Sequence, residues 1–244
     1  MDERRKQQSL WRLYKMGGFA PAVASAFGAQ NAQQMAFIRS VMKQKRNEPK
    51  FDSPLQDLPV VVFDLETTGF QHAGGDEILS IGAVKATGKE IHEAETFYSL
   101  VNPNRSIPAD IQQLTGITDE EAAQAPDLID TLQKFMGYVE RRILIAHGTG
   151  HDKQFLNAAL WRTSRTTLTH RVLDTLMVAK WLNPNLPSYG LDELLELYRI
   201  PVTTRHHALE DSLMTAKLWQ CFLEEMSRRQ VTTLGDLYAH LSRY

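Results

Sequence analysis

Cysteine is nearly absent: Cys221 is the single one in 244 residues, so no disulfide can close within the chain and a reducing compartment is expected. Long apolar runs are missing as well, and none approaches the roughly 18 residues of a membrane-spanning helix. The segment "MGGFAPAVASAFGA" follows a basic start, as a signal peptide would, but its Gly, Pro and Ser content and its lack of Leu and Ile argue against that reading. A cytoplasmic protein with no membrane partner is the expectation. Internal repeats and low-complexity tracts are absent. No pair among the eight His and one Cys shows zinc-finger spacing, which removes a structural zinc site.

What is present is an ordinary globular composition, 43% hydrophobic, with an uneven charge distribution beneath a net charge of −2. Residues 1–50 hold ten Lys or Arg and three acids, whereas the remainder holds 17 basic and 26 acidic residues. An acidic body that needs a cation, joined to a basic arm, suits a polyanionic partner. The arm reads as short helices broken around Gly17, Gly18 and Pro21. In "NAQQMAFIRSVMKQKR", Met35, Ile38, Val41 and Met42 recur at helical spacing, leaving Arg39, Lys43, Lys45 and Arg46 for another face. That pattern fits a helix docked on the body with a solvated basic side better than a dedicated nucleic-acid arm. If the arm does contact phosphates, removing residues 1–50 lowers the salt dependence of binding.

The division expected is a basic helical extension and linker over residues 1–56, a catalytic domain over 57–230, and a short C-terminal helix over 231–244 presenting Leu234, Leu237, Tyr238 and Leu241. From Pro59 three strands follow with short connections, Val60–Glu66, "EILSIGAVKAT" and "EIHEAETFYSLV", the last two joined at "TGKE". Thr118 and Glu121 have capping-box spacing ahead of "DLIDTLQKFMGYVE". "RILIAH" and "RVLDT" read as further strands between helices, and a long helix runs from about Ala208 to Arg228. A meander followed by alternating helices and strands gives an α/β fold, a mixed sheet flanked by helices.

The run "VVVFDLETTGF" sets Asp64 and Glu66 two residues apart at the end of a strand, hence on one face. Two carboxylates fixed side by side repel, and Mg2+ or Mn2+ is the natural ion between them. Two more acids stand where elements change over. Asp152 lies in "LIAHGTGHDKQFL" near a helix start, and Asp211 in "HHALEDSLMTAKLW" begins a helix, with His206 five residues before it. Four carboxylates and an imidazole match the needs of metal-assisted phosphodiester hydrolysis, in which a base removes a proton from the attacking water.

These stretches resemble the motifs of the DEDDh, or DnaQ-like, 3′-to-5′ exonucleases, a family with a ribonuclease H-like fold, over roughly Pro59 to Glu225. "FDLETTG" is similar to the first motif, "AHGTGHDKQFL" to the second, usually written HNxxFDxxFL, and "HHALEDS" to HxAxxD. The bacterial DNA polymerase III proofreading subunit, epsilon, belongs to the same group. The resemblance implies two Mg2+ or Mn2+ ions held by Asp64, Glu66, Asp152 and Asp211. It implies His206 as general base, His207 filling the variable position. Leu65 and Thr67 would border the 3′-terminal nucleotide of a single-stranded DNA end, with Leu114 to Ile117 packing on bases. Gly148 and His151 depart from the second motif, standing where Asn and Phe are usual.

The His151–Asp152 pair also suggests an HD-type phosphohydrolase, but that class is all-helical and needs further His ligands. Two alternatives survive the sequence: an exoribonuclease, and an exonuclease-like subunit that chiefly binds a polymerase or replication partner.

Overall fold

In the computed structural model of the chain the described residues are 20–43 and 49–243, the first eight of these by backbone alone. The expected mixed sheet is present, with five strands in the order β3-β2-β1-β4-β5: β1 (Pro59–Thr67), β2 (Ile78–Thr87), β3 (Glu90–Leu100), β4 (Ile143–Ala146) and β5 (Val172–Asp174). The first three form the antiparallel meander, while β4 and β5 run parallel to β1. The helices are α1 (Ala20–Lys43), α2 (Ala109–Thr115), α3 (Asp119–Gln124), α4 (Leu128–Val139), α5 (Gly150–Ser164), α6 (Thr175–Leu182), α7 (Leu191–Leu197), α8 (Ala208–Arg228) and α9 (Leu234–Leu241). Thr118 and Glu121 close the capping box that starts α3.

The unbroken apolar run of β1 follows from burial on both faces. Val60 and Val62 join the core formed with α6, α7, α8 and α9, including Met214, Leu218 and Trp219. Val61, Phe63 and Leu65 point the other way, into a second core completed by α4, α5 and α1. Asp64 and Glu66 therefore continue the face that looks toward α8. That helix comes very close to the sheet. A Cβ on Gly82, the β2 residue paired with Asp64, would sit 2.1 Å from the backbone of Ala208 and Leu209. Ser212 fastens the approach, its hydroxyl lying 2.9 Å from the Gly82 carbonyl that accepts from it. Gly82→Ala is accordingly expected to destabilise the protein by about 3 kcal/mol, lowering the melting temperature by roughly 6–12 °C. An unchanged melting curve would show that α8 shifts without cost.

The amino-terminal helix is an integral part of the second core. Ile38 and Met42 are buried in it and Met35 and Val41 are half-buried. Arg39 donates to the Ser164 carbonyl at 2.7 Å, and Gln34 bonds Asp130. Arg39 and Lys43 stay exposed; the basic residues Lys45 and Arg46, and the Gly17–Gly18 break, fall outside the described residues. Pro21 does not break the helix but lies in its first turn, where a missing N–H costs nothing. Removing residues 1–50 would thus strip core side chains as well as charge.

Two further expectations are corrected by packing. The stretch taken as a linker is seated against the C-terminal region: Leu55 N–H donates to Thr232 O, Leu234 N–H to Ser53 O and Gly235 N–H to Phe51 O, around a bridge between Pro54 and Thr233. The C-terminal helix is present as α9, and the side chains it carries face inward: Leu234, Leu237 and Leu241 are buried in the main core and Tyr238 packs against it.

Candidate active site

Four elements bring their ends to one cleft of about 310 Å³: the carboxyl end of β1, the start of α5, the start of α8 and the α2 segment. Asp64 and Glu66 come from β1, Asp211 from the first turn of α8, and these three carboxylates each offer an oxygen within 4.8 Å of the others. Asp152, the third residue of α5, is buried and lines the same cleft. His206 also lines it, from the loop before α8.

The carboxylates are held against their charge. Burial, then Asp152, Glu66 and Asp211, push the Asp64 carboxyl well above the usual range. Burial and the neighbouring Asp211 push Glu66 up to about 8, and burial raises Asp152 to about 7. Asp211 is raised by burial, against the pull of Arg205 and of the His206 N–H. Four acids that resist ionisation in one cavity, all with oxygen donors, fit a hard divalent cation that would make their charged forms favourable.

The second motif reveals why its departures are tolerated. Gly148 has φ +69°, the left-handed region that Gly and Asn enter most readily, so Gly in place of Asn keeps the turn. The turn is held by Asp174 of β5, which accepts from Gly148 N–H and Thr149 N–H, both at 2.9 Å. An Asp between a short strand and a helix is a helix-cap signal, and it would have disclosed Asp174 from sequence. His151 packs its ring on Phe155 and Phe70, with centroids at 4.5 and 5.7 Å, so it keeps the packing role of the usual Phe. Its Nε2 lies 3.2 Å from Thr67 Oγ1. Because that hydroxyl gives its proton to Gly69 O at 2.7 Å, His151 must donate from Nε2. Burial and His72 lower its pKa. His147 is fixed by Thr175 and the Tyr189 carbonyl, each at 2.9 Å, and burial lowers its pKa too.

The two histidines before α8 are separated by geometry. His207 caps the helix, accepting from Glu210 N–H at 3.4 Å, and stacks on Tyr98 at 4.6 Å. His206, with φ +58°, is turned into the cleft, its N–H donating to Asp211 Oδ2 at 3.0 Å.

Of the residues expected to border substrate, Leu65, Thr67 and Leu114 line the cleft. Ile117 does not: it is buried with Leu79, Ile107, Ile111 and Ala122 in a small core beneath α2 and α3. Thr115, within the expected stretch, lines the cleft, as do Ile111, Phe70 and Arg205, which no motif marks; Phe70 is 79% exposed at its rim.

The model of the exonuclease family RNase_T matches residues 61–219. A "DNA polymerase III PolC-type" of Caldanaerobacter subterraneus subsp. tengcongensis is 34% identical over 177 residues, which is 72% of this chain and 12% of that protein. A "DNA polymerase III subunit epsilon-like protein" of Rhodobacter capsulatus is 33% identical over 195 residues, 79% of this chain and 28% of that protein. The chain thus spans a minor part of the length of these relatives. Among solved structures, Exonuclease X in complex with 5′ overhanging duplex DNA superposes with a TM-score of 0.57 at 21% identity, covering 74% of this chain and 99% of that one. The nuclease domain of 3'hExo, a DEDDh family member bound to rAMP, gives 0.61 at 19% identity, covering 73% and 94%. Such identities show a common fold. The family match spans most of the chain and encloses all four acids and His206, and the sheet has the architecture of these nucleases: the chain belongs to the RNase_T exonuclease family, with the ribonuclease H-like fold of its DEDDh members.

Proposed function

We propose that the protein removes nucleotides from the 3′ end of single-stranded DNA as nucleoside 5′-monophosphates, using Asp64, Glu66, Asp152, Asp211 and His206. The observation that carries this reading is the meeting of three carboxylates within 4.8 Å in a cleft that also holds Asp152 and His206. Asp64, Glu66 and Asp211 would hold one divalent ion, and Asp64 with Asp152 a second, Mg2+ or Mn2+. Two such ions, when bound, offset the charge on the attacking and leaving oxygens. His206 accepts a proton from the attacking water, and its backbone bond to Asp211 ties the base to the acidic cluster. Leu65, Thr67 and Leu114 border the terminal nucleotide, and the exposed ring of Phe70 offers a stacking face that any base can use.

DNA is favoured over RNA by the polymerase names of the relatives, and those names also favour a replication partner in proofreading. A cytoplasmic location accords with such a role. Among the described residues no helix is long and apolar enough to cross a membrane.

The test uses oligonucleotides of DNA and RNA labelled at either end, with Mg2+, Mn2+ or chelator. Mononucleotides should appear first from the 3′-labelled DNA and only with a divalent ion. Internal cuts, or full activity in chelator, would contradict the reading.

Metal loading should also be visible in stability. Glu66 and Asp152 have folded pKa values, about 8 and about 7, above their ordinary ones. Folding of the ion-free protein therefore takes up protons, and its stability falls as pH rises from about 5 to about 8. A divalent ion competes with those protons and binds best at the upper end. At a concentration 100 times its Kd at pH 8 it should add about 2.7 kcal/mol there, or roughly 5–11 °C, and the same concentration should add less at pH 5. A melting temperature that ignores both pH and ion would contradict the site.

A further inference from the structure

The cleft contains a cation of its own. Arg205, one residue before His206, bonds Asp211 Oδ1 through its guanidinium and reaches Asp192 Oδ1, in the first turn of α7, at 2.5 Å. Its side chain is 23% exposed and that of Asp211 only 6%, whereas Asp192 stands 62% exposed at the rim. We propose that Arg205 is a placeholder for the divalent ion: it neutralises Asp211 when no ion is bound and withdraws to Asp192 when one enters. The proposal rests on the metal-dependent reading of the site.

Geometry and charge both carry it. Asp211 has each oxygen engaged, Oδ1 by Arg205 and Oδ2 by the His206 N–H. A divalent ion shared with Asp64 and Glu66 must approach this same carboxylate, and a guanidinium in contact with it repels the newcomer. Arg205 lines the same cleft as Asp64, Glu66 and Asp211, so its charge faces the whole cluster. Asp192 supplies the second anchor that lets the side chain leave without being stranded. The planar fork of Arg reaches the two carboxylates through separate nitrogens, Nε to Asp192 and a terminal nitrogen to Asp211.

The opposite role, a fixed clamp that orients Asp211 toward the ion, predicts the opposite sign. Calorimetric titration of Mn2+ into the full chain, without nucleic acid, separates the two. Arg205→Gln should bind Mn2+ about tenfold tighter, the scale set by groups that contact metal ligands, while melting at a lower temperature than the parent in chelator. Equal or weaker Mn2+ binding by Arg205→Gln overturns the placeholder role. Asp192→Asn, an exposed change that spares the core, should weaken Mn2+ binding about threefold, because Arg205 then has only Asp211 to hold; tighter or unchanged binding again overturns it. If the parent itself takes up no Mn2+, the metal-dependent reading of the whole site falls, and this role with it.

Discussion

Asp64→Asn should lower exonuclease activity by roughly three orders of magnitude while making the ion-free protein more stable. The first effect follows from position. Asp64 is the carboxylate that both proposed ions would share, and losing several kcal/mol of charge stabilisation in the transition state has that magnitude. The second follows from electrostatics. Its carboxyl is pushed far above the ordinary range by burial and by Asp152, Glu66 and Asp211, so its charged form is opposed by every near neighbour except Arg205. An amide of the same shape relieves that repulsion, for a gain of about 1–2 kcal/mol at pH 8 in chelator, or roughly 2–8 °C. The gain should shrink at pH 5, where Glu66 and Asp152, with values near 8 and 7, are already protonated. Kinetics and thermal melts on one preparation test both halves. Retained activity removes Asp64 from the mechanism; lost stability at pH 8 removes the charge-repulsion explanation.

His206→Ala should slow turnover by about 10²- to 10⁴-fold, the contribution of a positioned general base, with little change in melting temperature. His207→Ala is the internal control. It loses a helix cap and a stacked ring, worth under about 1 kcal/mol of cap, and should keep most of its activity because its ring caps α8 and lies on Tyr98. The reverse ranking would transfer the base to His207 and require the loop to reverse in the working enzyme.

The parts of this site legible in the sequence are those written in a strict period or in a motif. Asp64 and Glu66 share a face because a strand alternates, and the structure continues the Val60, Val62 face through them to α8. The change from meander to alternating helices and strands announced the mixed sheet, and Thr118 with Glu121 announced the start of α3. Direction was not legible for isolated apolar residues. Leu114 and Ile117 lie three apart with the same character, yet Leu114 is exposed at the cleft and Ile117 is buried under α2, because the left-handed turn at Gly116 separates them. Nor was Arg205: its partners, Asp192 and Asp211, are brought to it by the packing of α7 and α8, and no spacing records that. The leucines of α9 look the same in sequence whether they face a partner or the protein's own core, and only the clasp of residues 51–55 on 232–235 places them inside.

That clasp bears on how such a unit is housed. The segment entering β1 pairs at Pro54 with Thr233 just ahead of α9, so whatever chain flanks the unit, residues 51–55 and 232–235 stay tied together and cannot be parted without opening the core that holds α9. Ending the chain before Thr232 should therefore lower the melting temperature, since it removes the buried Leu234, Leu237 and Leu241 together with the bonds to residues 51–55.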